Sequence, residues 1–132
     1  MTKANDSTQE MRQGISLTEN KGVMMLCLTL GCKSQCAHCE VEGGPEKLRL
    51  RLTPDEIKLA IHTAKNNNIV AVELAGGEPF LALDLVELAL IEAKRAGLYA
   101  LIDTSASWAS TPRVARDVLT RLADLGLSLI HI

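Results

Sequence analysis

Three cysteines in one short loop carry the strongest chemical signal in this sequence. Cys32, Cys36 and Cys39 have the spacing C-x3-C-x2-C and directly follow an apolar run, residues 24–30. Thiolates so close along the chain can turn toward one inorganic core, and cysteine thiolates hold iron–sulfur clusters in this way. We interpret the loop as a metal-cluster site. A 4Fe-4S cluster held by only these thiolates would keep one iron open to a small molecule.

A structural zinc site is the main alternative, because intracellular cysteine and histidine clusters commonly hold zinc with tetrahedral ligands. The ligands could come from Cys27, His38 and the three loop cysteines. Cys27 lies inside the apolar run, however, and is better explained as a small buried hydrophobic residue. A disulfide framework is disfavoured, since residues 1–14 are polar and lack the apolar core of a signal peptide. The same feature predicts a cytoplasmic protein with reduced thiols.

A second motif lies about 36 residues after the cysteine loop, where residues 75–79 read Ala-Gly-Gly-Glu-Pro. Residues 28–39, which include the aromatic His38 just before the last cysteine, resemble the signature of the radical S-adenosylmethionine (SAM) superfamily. The Gly-Gly-Glu-Pro segment matches the second motif of that family. The resemblance covers roughly residues 23–125 of the chain.

This resemblance implies both cofactors and the reaction. In the family the three cysteines ligate a 4Fe-4S cluster, and SAM chelates the fourth iron through its amino and carboxylate groups. The reduced cluster passes one electron to the sulfonium, a carbon–sulfur bond breaks, and the 5′-deoxyadenosyl radical removes hydrogen from a substrate. The resemblance also implies an electron donor such as flavodoxin or ferredoxin. It leaves the substrate open, either a small molecule or a peptide, and identifies no catalytic side chain beyond the cluster.

The SAM contacts that the resemblance implies begin in the second motif. Carbonyl groups of Gly76 and Gly77 would accept from the SAM amino group, and Pro79 would stiffen the exit of the loop. Glu78 would either reinforce that contact or hold the loop. His38 matches the position that packs near adenine, with a solvated loop histidine as the alternative.

Two serines are further candidates for SAM binding. Ser105 and Ser107 follow the third predicted strand, where relatives carry polar residues near SAM and substrate. Their hydroxyl groups could donate to a carboxylate, but serines after a strand are also common turn formers. Trp108, the only tryptophan, is interpreted as a packing residue.

Length and composition are those of a globular protein with one core. The chain has 132 residues, a formal net charge of -2 and 47% hydrophobic residues. This net charge and hydrophobic content indicate neither nucleic acid nor a membrane as a partner. No apolar stretch reaches the roughly eighteen residues that a transmembrane helix needs.

Strands and helices are predicted to alternate along the chain. The first core strand, residues 23–30, is continuously apolar, which is typical of a strand covered on both faces. Thr53 and Glu56 predict a capping box, Asp84 and Glu87 predict a second helix cap, and Thr111 predicts a third. Further strands are predicted at residues 69–74 and 98–102, and helices at residues 54–66, 85–96 and 112–125.

This alternation predicts an α/β fold with a parallel sheet. The resemblance implies a partial TIM-type barrel of six βα units, of which this chain would form about half. Residues 1–22 are expected to form a polar arm with a possible hairpin strand at residues 15–18, and residues 23–126 a partial core domain. Residues 127–132 are interpreted either as the start of a fourth strand or as a translated sequencing adapter.

We therefore expect an N-terminal fragment of a radical SAM enzyme, itself inactive. Two other function classes remain open. The chain could be a truncated, non-catalytic product, which equilibrium SAM binding would test. It could also be a binding module stabilised by zinc or by a cluster, which the metal content of the protein would test.

Overall fold

The computed structural model describes residues 21–132, so the possible hairpin strand at residues 15–18 lies outside the described residues. The described chain is a four-stranded parallel sheet interleaved with three helices. In chain order the elements are β1 (Gly22–Thr29), α1 (Pro54–Asn66), β2 (Ile69–Gly76), α2 (Leu83–Ala96), β3 (Tyr99–Asp103), α3 (Pro112–Leu125) and β4 (Leu129–His131). The predicted α/β class with parallel βα units is confirmed. Part of the segment 127–132 forms the short strand β4.

Strand order in the sheet equals strand order in the chain, β1-β2-β3-β4, and all three pairings are parallel. Crossovers between parallel strands are right-handed as a rule, which places the three helices described on the same side of the sheet. Accordingly α1 contacts α2, and α2 contacts α3. This arrangement is consistent with part of a TIM-type barrel. No helix within residues 21–132 is long and apolar enough to span a membrane.

The hydrophobic core lies between the sheet and the helices. Fully buried side chains come from all three longer strands and from all three helices: Leu28, Leu74, Ile102, Ile57, Leu90 and Leu122. Burial of each such side chain contributes roughly 1.5–3 kcal/mol to the stability of the fold. The core therefore fixes the strands, and with them the loops that follow each strand.

The expectation that β1 is covered on both faces is wrong. Leu26 and Leu28 are buried against the helices, but Val23 is 43% and Met25 is 53% exposed. Met25 is paired with Glu73, and Glu73 with Leu101, so these side chains share the face without helices. We call this surface the open face. It carries apolar side chains such as Met25 and Leu101 together with the carboxylate Glu73, and the helices do not cover it.

The capping box predicted for α1 is confirmed. The Thr53 hydroxyl accepts from the Glu56 amide at 3.3 Å, and the Glu56 carboxylate accepts from the Thr53 amide at 2.7 Å. Hydrogen bonds to the Glu56 carboxylate from the amide and the hydroxyl of Thr53 hold the pKa of Glu56 below its usual value. The Thr111 cap of α3 is also confirmed, and Gly97 and Gly126 end α2 and α3 in the left-handed conformation.

The cap predicted for α2 is wrong. A 3₁₀ turn, Pro79–Ala82, runs straight into the helix, so Ala82 occupies the cap position and no side chain caps it. Asp84 instead pairs with Arg51 at 2.5 Å, and Glu87 pairs with Arg121 at 2.8 Å. The glycine-containing segment before the turn is thereby joined to α2 without an intervening loop.

Candidate functional site

Three loops meet at the edge of the sheet where the parallel strands end. We call them the cysteine loop, residues 30–52 after β1, the glycine loop, residues 76–79 at the end of β2, and the serine loop, residues 104–110 after β3. Ligands of parallel α/β proteins bind outside the carboxyl ends of the strands. The topology therefore brings the predicted site residues to one edge.

All three cysteines of the loop carry free thiols. Cys36 is exposed, whereas Cys32 and Cys39 are partly buried. A turn joins the Cys39 amide to the Cys36 carbonyl at 3.1 Å. The Gly43 amide donates to the Cys39 sulfur at 3.2 Å, and the Ser34 amide donates to the Cys32 sulfur at 3.4 Å. Such amide bonds stabilise thiolate sulfur and tune the potential of a cluster that it holds.

The donor set of this loop fits an iron–sulfur cluster. Three free thiols lie on one loop, and two of them accept backbone amide bonds at sulfur. Cysteine thiolates with such amide bonds are the ligands that hold iron–sulfur clusters. His38 is exposed in the turn between Cys36 and Cys39.

The glycine loop is docked on the base of the cysteine loop by backbone hydrogen bonds. The Gly77 amide donates to the Thr29 carbonyl at 2.7 Å, and the Glu78 amide donates to the Gly31 carbonyl at 2.8 Å. A Cβ atom at Gly77 would lie 2.2 Å from the Gly31 oxygen, and one at Gly76 would lie 2.2 Å from the Thr29 oxygen. The two glycines are therefore required by this close approach, before any ligand is considered.

Sequence reasoning missed the glycines on the other side of this contact. Gly43 approaches Gly77, where an added Cβ would lie 3.0 Å from the Gly77 Cα atom. Gly44 exchanges hydrogen bonds with the strand end, because its amide donates to the Leu30 carbonyl at 3.0 Å and its carbonyl accepts from Cys32 at 3.1 Å. The concentration of glycines could have indicated this close contact. Five of the nine glycines in the chain lie in the cysteine and glycine loops: Gly31, Gly43, Gly44, Gly76 and Gly77.

Glu78 is a buried carboxylate at the centre of the site, with only 4% of its surface exposed. It accepts from the Thr104 hydroxyl at 2.7 Å and from the Ser105 hydroxyl and amide at 2.6 and 2.9 Å. The amide of Phe80 donates to it at 3.2 Å. Glu78 therefore joins the glycine loop to the serine loop.

Two aromatic side chains make a second contact between these loops. Phe80 stacks on Trp108 with ring centroids 4.2 Å apart and an interplanar angle of 13°. The Trp108 indole also donates to the Thr104 hydroxyl at 3.1 Å. The packing role predicted for Trp108 is thus observed, whereas the parts of Phe80 and Thr104 were missed. Ser107 is exposed, with its hydroxyl 3.2 Å from that of Ser105.

Acidic side chains also meet on the open face, below the loops. Asp103 lies 3.0 Å from the His131 ring nitrogen. A hydrogen bond with Asp103 raises the pKa of Glu73 above its usual value of 4.5, with smaller contributions from burial and from the Asp103 charge, while His131 opposes the shift. The Glu73 carboxyl is therefore favoured in its protonated form, which can donate to Asp103.

We expect Glu73→Gln to remove a pH-dependent loss of stability. A raised pKa means that the folded protein binds the proton more tightly than the unfolded chain, so the stabilisation is fully present below the unfolded value of 4.5 and is lost as the pH rises through the raised pKa. In urea titrations between about pH 4 and pH 7, the variant should lose less unfolding free energy than the parent protein. Glu92→Gln, at a partly buried glutamate of α2 that pairs with Arg95, should retain the parent slope. Equal slopes for both variants would contradict the raised pKa of Glu73.

Comparison with known proteins gives a family match over most of the chain. The family model described as the Radical SAM superfamily matches residues 26–132. A probable GTP 3′,8-cyclase of Saccharolobus islandicus is 32% identical over 109 residues, which are 83% of this chain and 33% of the relative. An Fe-coproporphyrin III synthase of Methanosarcina barkeri is 26% identical over 114 residues, 86% of this chain and 27% of the relative. The chain thus spans between about a quarter and a third of the length of these curated relatives.

Proposed function

This chain belongs to the radical SAM superfamily, and from that membership we propose that it supplies the cluster and SAM site of an enzyme that cleaves SAM reductively. The observation that carries the proposal is the docking of the glycine loop on the base of the cysteine loop. Two backbone hydrogen bonds and the tight contacts of Gly76 and Gly77 hold the loops together. The family's two motifs thereby form one surface.

The residues of this surface have distinct proposed roles. Cys32, Cys36 and Cys39 would hold the cluster, whose chemistry is to supply one electron to the sulfonium of SAM, giving methionine and a 5′-deoxyadenosyl radical. Gly77 uses its amide to hold Thr29, but within residues 21–132 its carbonyl oxygen accepts no hydrogen bond. That oxygen can accept from the amino group of SAM. His38 is accessible for contact with adenine.

The serine loop would close the SAM site from the β3 side. Ser105 donates its amide and hydroxyl to Glu78, so it organises the loop. Ser107 is exposed and its hydroxyl remains accessible to a carboxylate. Pro79 is buried directly after Glu78 and fixes the start of the 3₁₀ turn.

The substrate is proposed to be a small molecule. The names of the two relatives refer to GTP and to a coproporphyrin, which are different small molecules. Because both names refer to small molecules, they favour a small-molecule substrate over a peptide. Because the two molecules differ, they leave the identity of the substrate open. The reaction also requires an electron donor, for which flavodoxin or ferredoxin is the proposed type.

Anaerobic reconstitution with iron and sulfide tests the proposal. We expect about four iron and four labile sulfide atoms per chain, and equilibrium binding of SAM only after the cluster is loaded. Formation of 5′-deoxyadenosine and methionine by this chain under reducing conditions would overturn the expectation that it is itself inactive. Stoichiometric zinc without labile sulfide would indicate a metal-stabilised binding module instead. A loaded cluster without SAM binding would indicate a non-catalytic product.

A further inference from the structure

Within residues 21–132, Glu78 is the only side chain with an ionisable carboxyl or basic group that is buried. Burying such a group is costly unless hydrogen bonds replace its lost hydration. Here the compensation is complete. Oε1 accepts from the Phe80 amide and the Thr104 hydroxyl, and Oε2 accepts from the amide and hydroxyl of Ser105.

These four bonds use the acceptor capacity of the carboxylate, which has about four lone-pair sites. A SAM ammonium group could bind Glu78 directly only by displacing one of the protein donors. Two of them, the amides of Phe80 and Ser105, cannot turn away without moving the backbone. The side chain is therefore placed to act on SAM through the loops rather than by contact.

The hydrogen bonds of Glu78 connect the ends of three strands. Its amide donates to the Gly31 carbonyl at the base of the cysteine loop. Its carboxylate holds Thr104 and Ser105 at the start of the serine loop. Glu78 itself lies in the glycine loop, so this one residue bonds to all three loops of the site.

The serine loop has a conformation that needs this support. Ala106 lies in the left-handed region with a φ of 58°, which costs a residue with a Cβ atom roughly 1–2 kcal/mol. Its amide donates to the Thr104 hydroxyl at 3.1 Å, and the Trp108 indole donates to the same oxygen. Since a hydroxyl can donate only one hydrogen, Thr104 gives its own to Glu78 and accepts the other two bonds. The strained turn thus depends on the carboxylate.

We propose that Glu78 is a positioning residue for SAM, which holds the serine loop against the glycine loop through Thr104 and Ser105. The proposal rests on the proposed function, because it concerns the same SAM site. The Phe80–Trp108 stack contributes to the same contact between the glycine loop and the serine loop. Order in the serine loop and affinity for SAM are then coupled through one carboxylate.

Glu78→Gln tests this with almost no change in shape. An amide group would replace one acceptor oxygen by a donor, which would face the Phe80 amide on one side or the Ser105 amide on the other. We expect SAM affinity of the cluster-loaded chain to fall about tenfold, while iron and sulfide content stay unchanged, because one buried amide loses its partner. Trp108 is the only tryptophan of the chain. In the metal-free protein, its fluorescence emission should shift to longer wavelength as the serine loop separates from the glycine loop.

Thr104→Val distinguishes positioning from direct contact with SAM. This buried change removes the bond to Glu78 and the acceptor of the Trp108 indole. We expect the same emission shift and a similar loss of SAM affinity. Glu87→Gln, a matched change in the surface pair with Arg121, should alter neither quantity.

Weaker SAM binding in Glu78→Gln with unchanged binding in Thr104→Val would overturn the inference, because it would mean that Glu78 contacts SAM. Unchanged Trp108 emission in Glu78→Gln would also overturn it. If the loaded parent chain does not bind SAM, the proposed function fails and the SAM part of the inference fails with it. The emission of the metal-free variants separately decides whether Glu78 orders the serine loop.

Discussion

Alanine in place of Cys32, Cys36 or Cys39 should abolish loading of an iron–sulfur cluster. Each thiolate would hold a different corner of the cluster, and removal of one leaves two irons open to water. Iron and labile sulfide content after anaerobic reconstitution, with the brown absorption of the cluster, measure the loss. All three single variants should lose most of the signal, because two thiolates on an accessible loop do not retain the cluster.

Cys27→Ala is the matched control for this experiment. Cys27 lies within β1, is partly buried and is paired with Ala75 in the sheet, away from the loop that carries the other thiols. Its alanine variant should load the cluster like the parent chain. Loss of the cluster in the Cys27 variant alone, or zinc in place of iron and sulfide, would refute the assignment.

Gly77→Ala should destabilise the protein by at least about 3 kcal/mol, since overpacking against backbone atoms cannot be relieved by side-chain movement. The added Cβ would lie 2.2 Å from the Gly31 carbonyl oxygen and 2.9 Å from the Leu30 carbonyl carbon. The two loops would have to separate, and the Gly77–Thr29 and Glu78–Gly31 hydrogen bonds would be lost with them. Urea denaturation gives the change in unfolding free energy, and SAM binding should fall in parallel.

Gly97→Ala provides the comparison at a glycine with free space. No atom lies within 4 Å of an added Cβ there, although the φ of +75° disfavours alanine. A cost of about 1 kcal/mol is expected from the backbone conformation alone. If Gly77→Ala and Gly97→Ala are equally stable, the close packing of the cysteine and glycine loops is not the reason that position 77 requires glycine.

Local signals in the sequence were sufficient to predict most of the helices and strands. The Thr53 and Glu56 pair and the glycines after α2 and α3 specify helix ends by bonds within a few residues, so the sequence shows them directly. The cap of α2 was misjudged because the 3₁₀ turn after Glu78 continues into the helix. In β1, an apolar run has the same pattern whether its second face meets helices or the inside of a barrel, so periodicity could not distinguish them.

The candidate site was predictable only in its outline. Strand ends of a parallel sheet lie at one edge, which was enough to bring the cysteine, glycine and serine loops together. The partners of Glu78 could not be read from the sequence, since Thr104 and Ser105 lie 26 and 27 residues further along the chain. The approach of Gly43 to Gly77 could not be read from the sequence either, because it depends on how the cysteine loop folds back on β1.

The order of the strands also has a consequence for how the molecule is assembled. Within residues 21–132, each strand after β1 pairs with the strand made immediately before it, β2 on β1, β3 on β2 and β4 on β3. A chain that leaves the ribosome from its N-terminus can therefore add β2, β3 and β4 in turn, each to a neighbour that has already been synthesised. The cysteine loop and the glycine loop lie in the first two units, so their shared surface can form while the rest of the chain is still being translated.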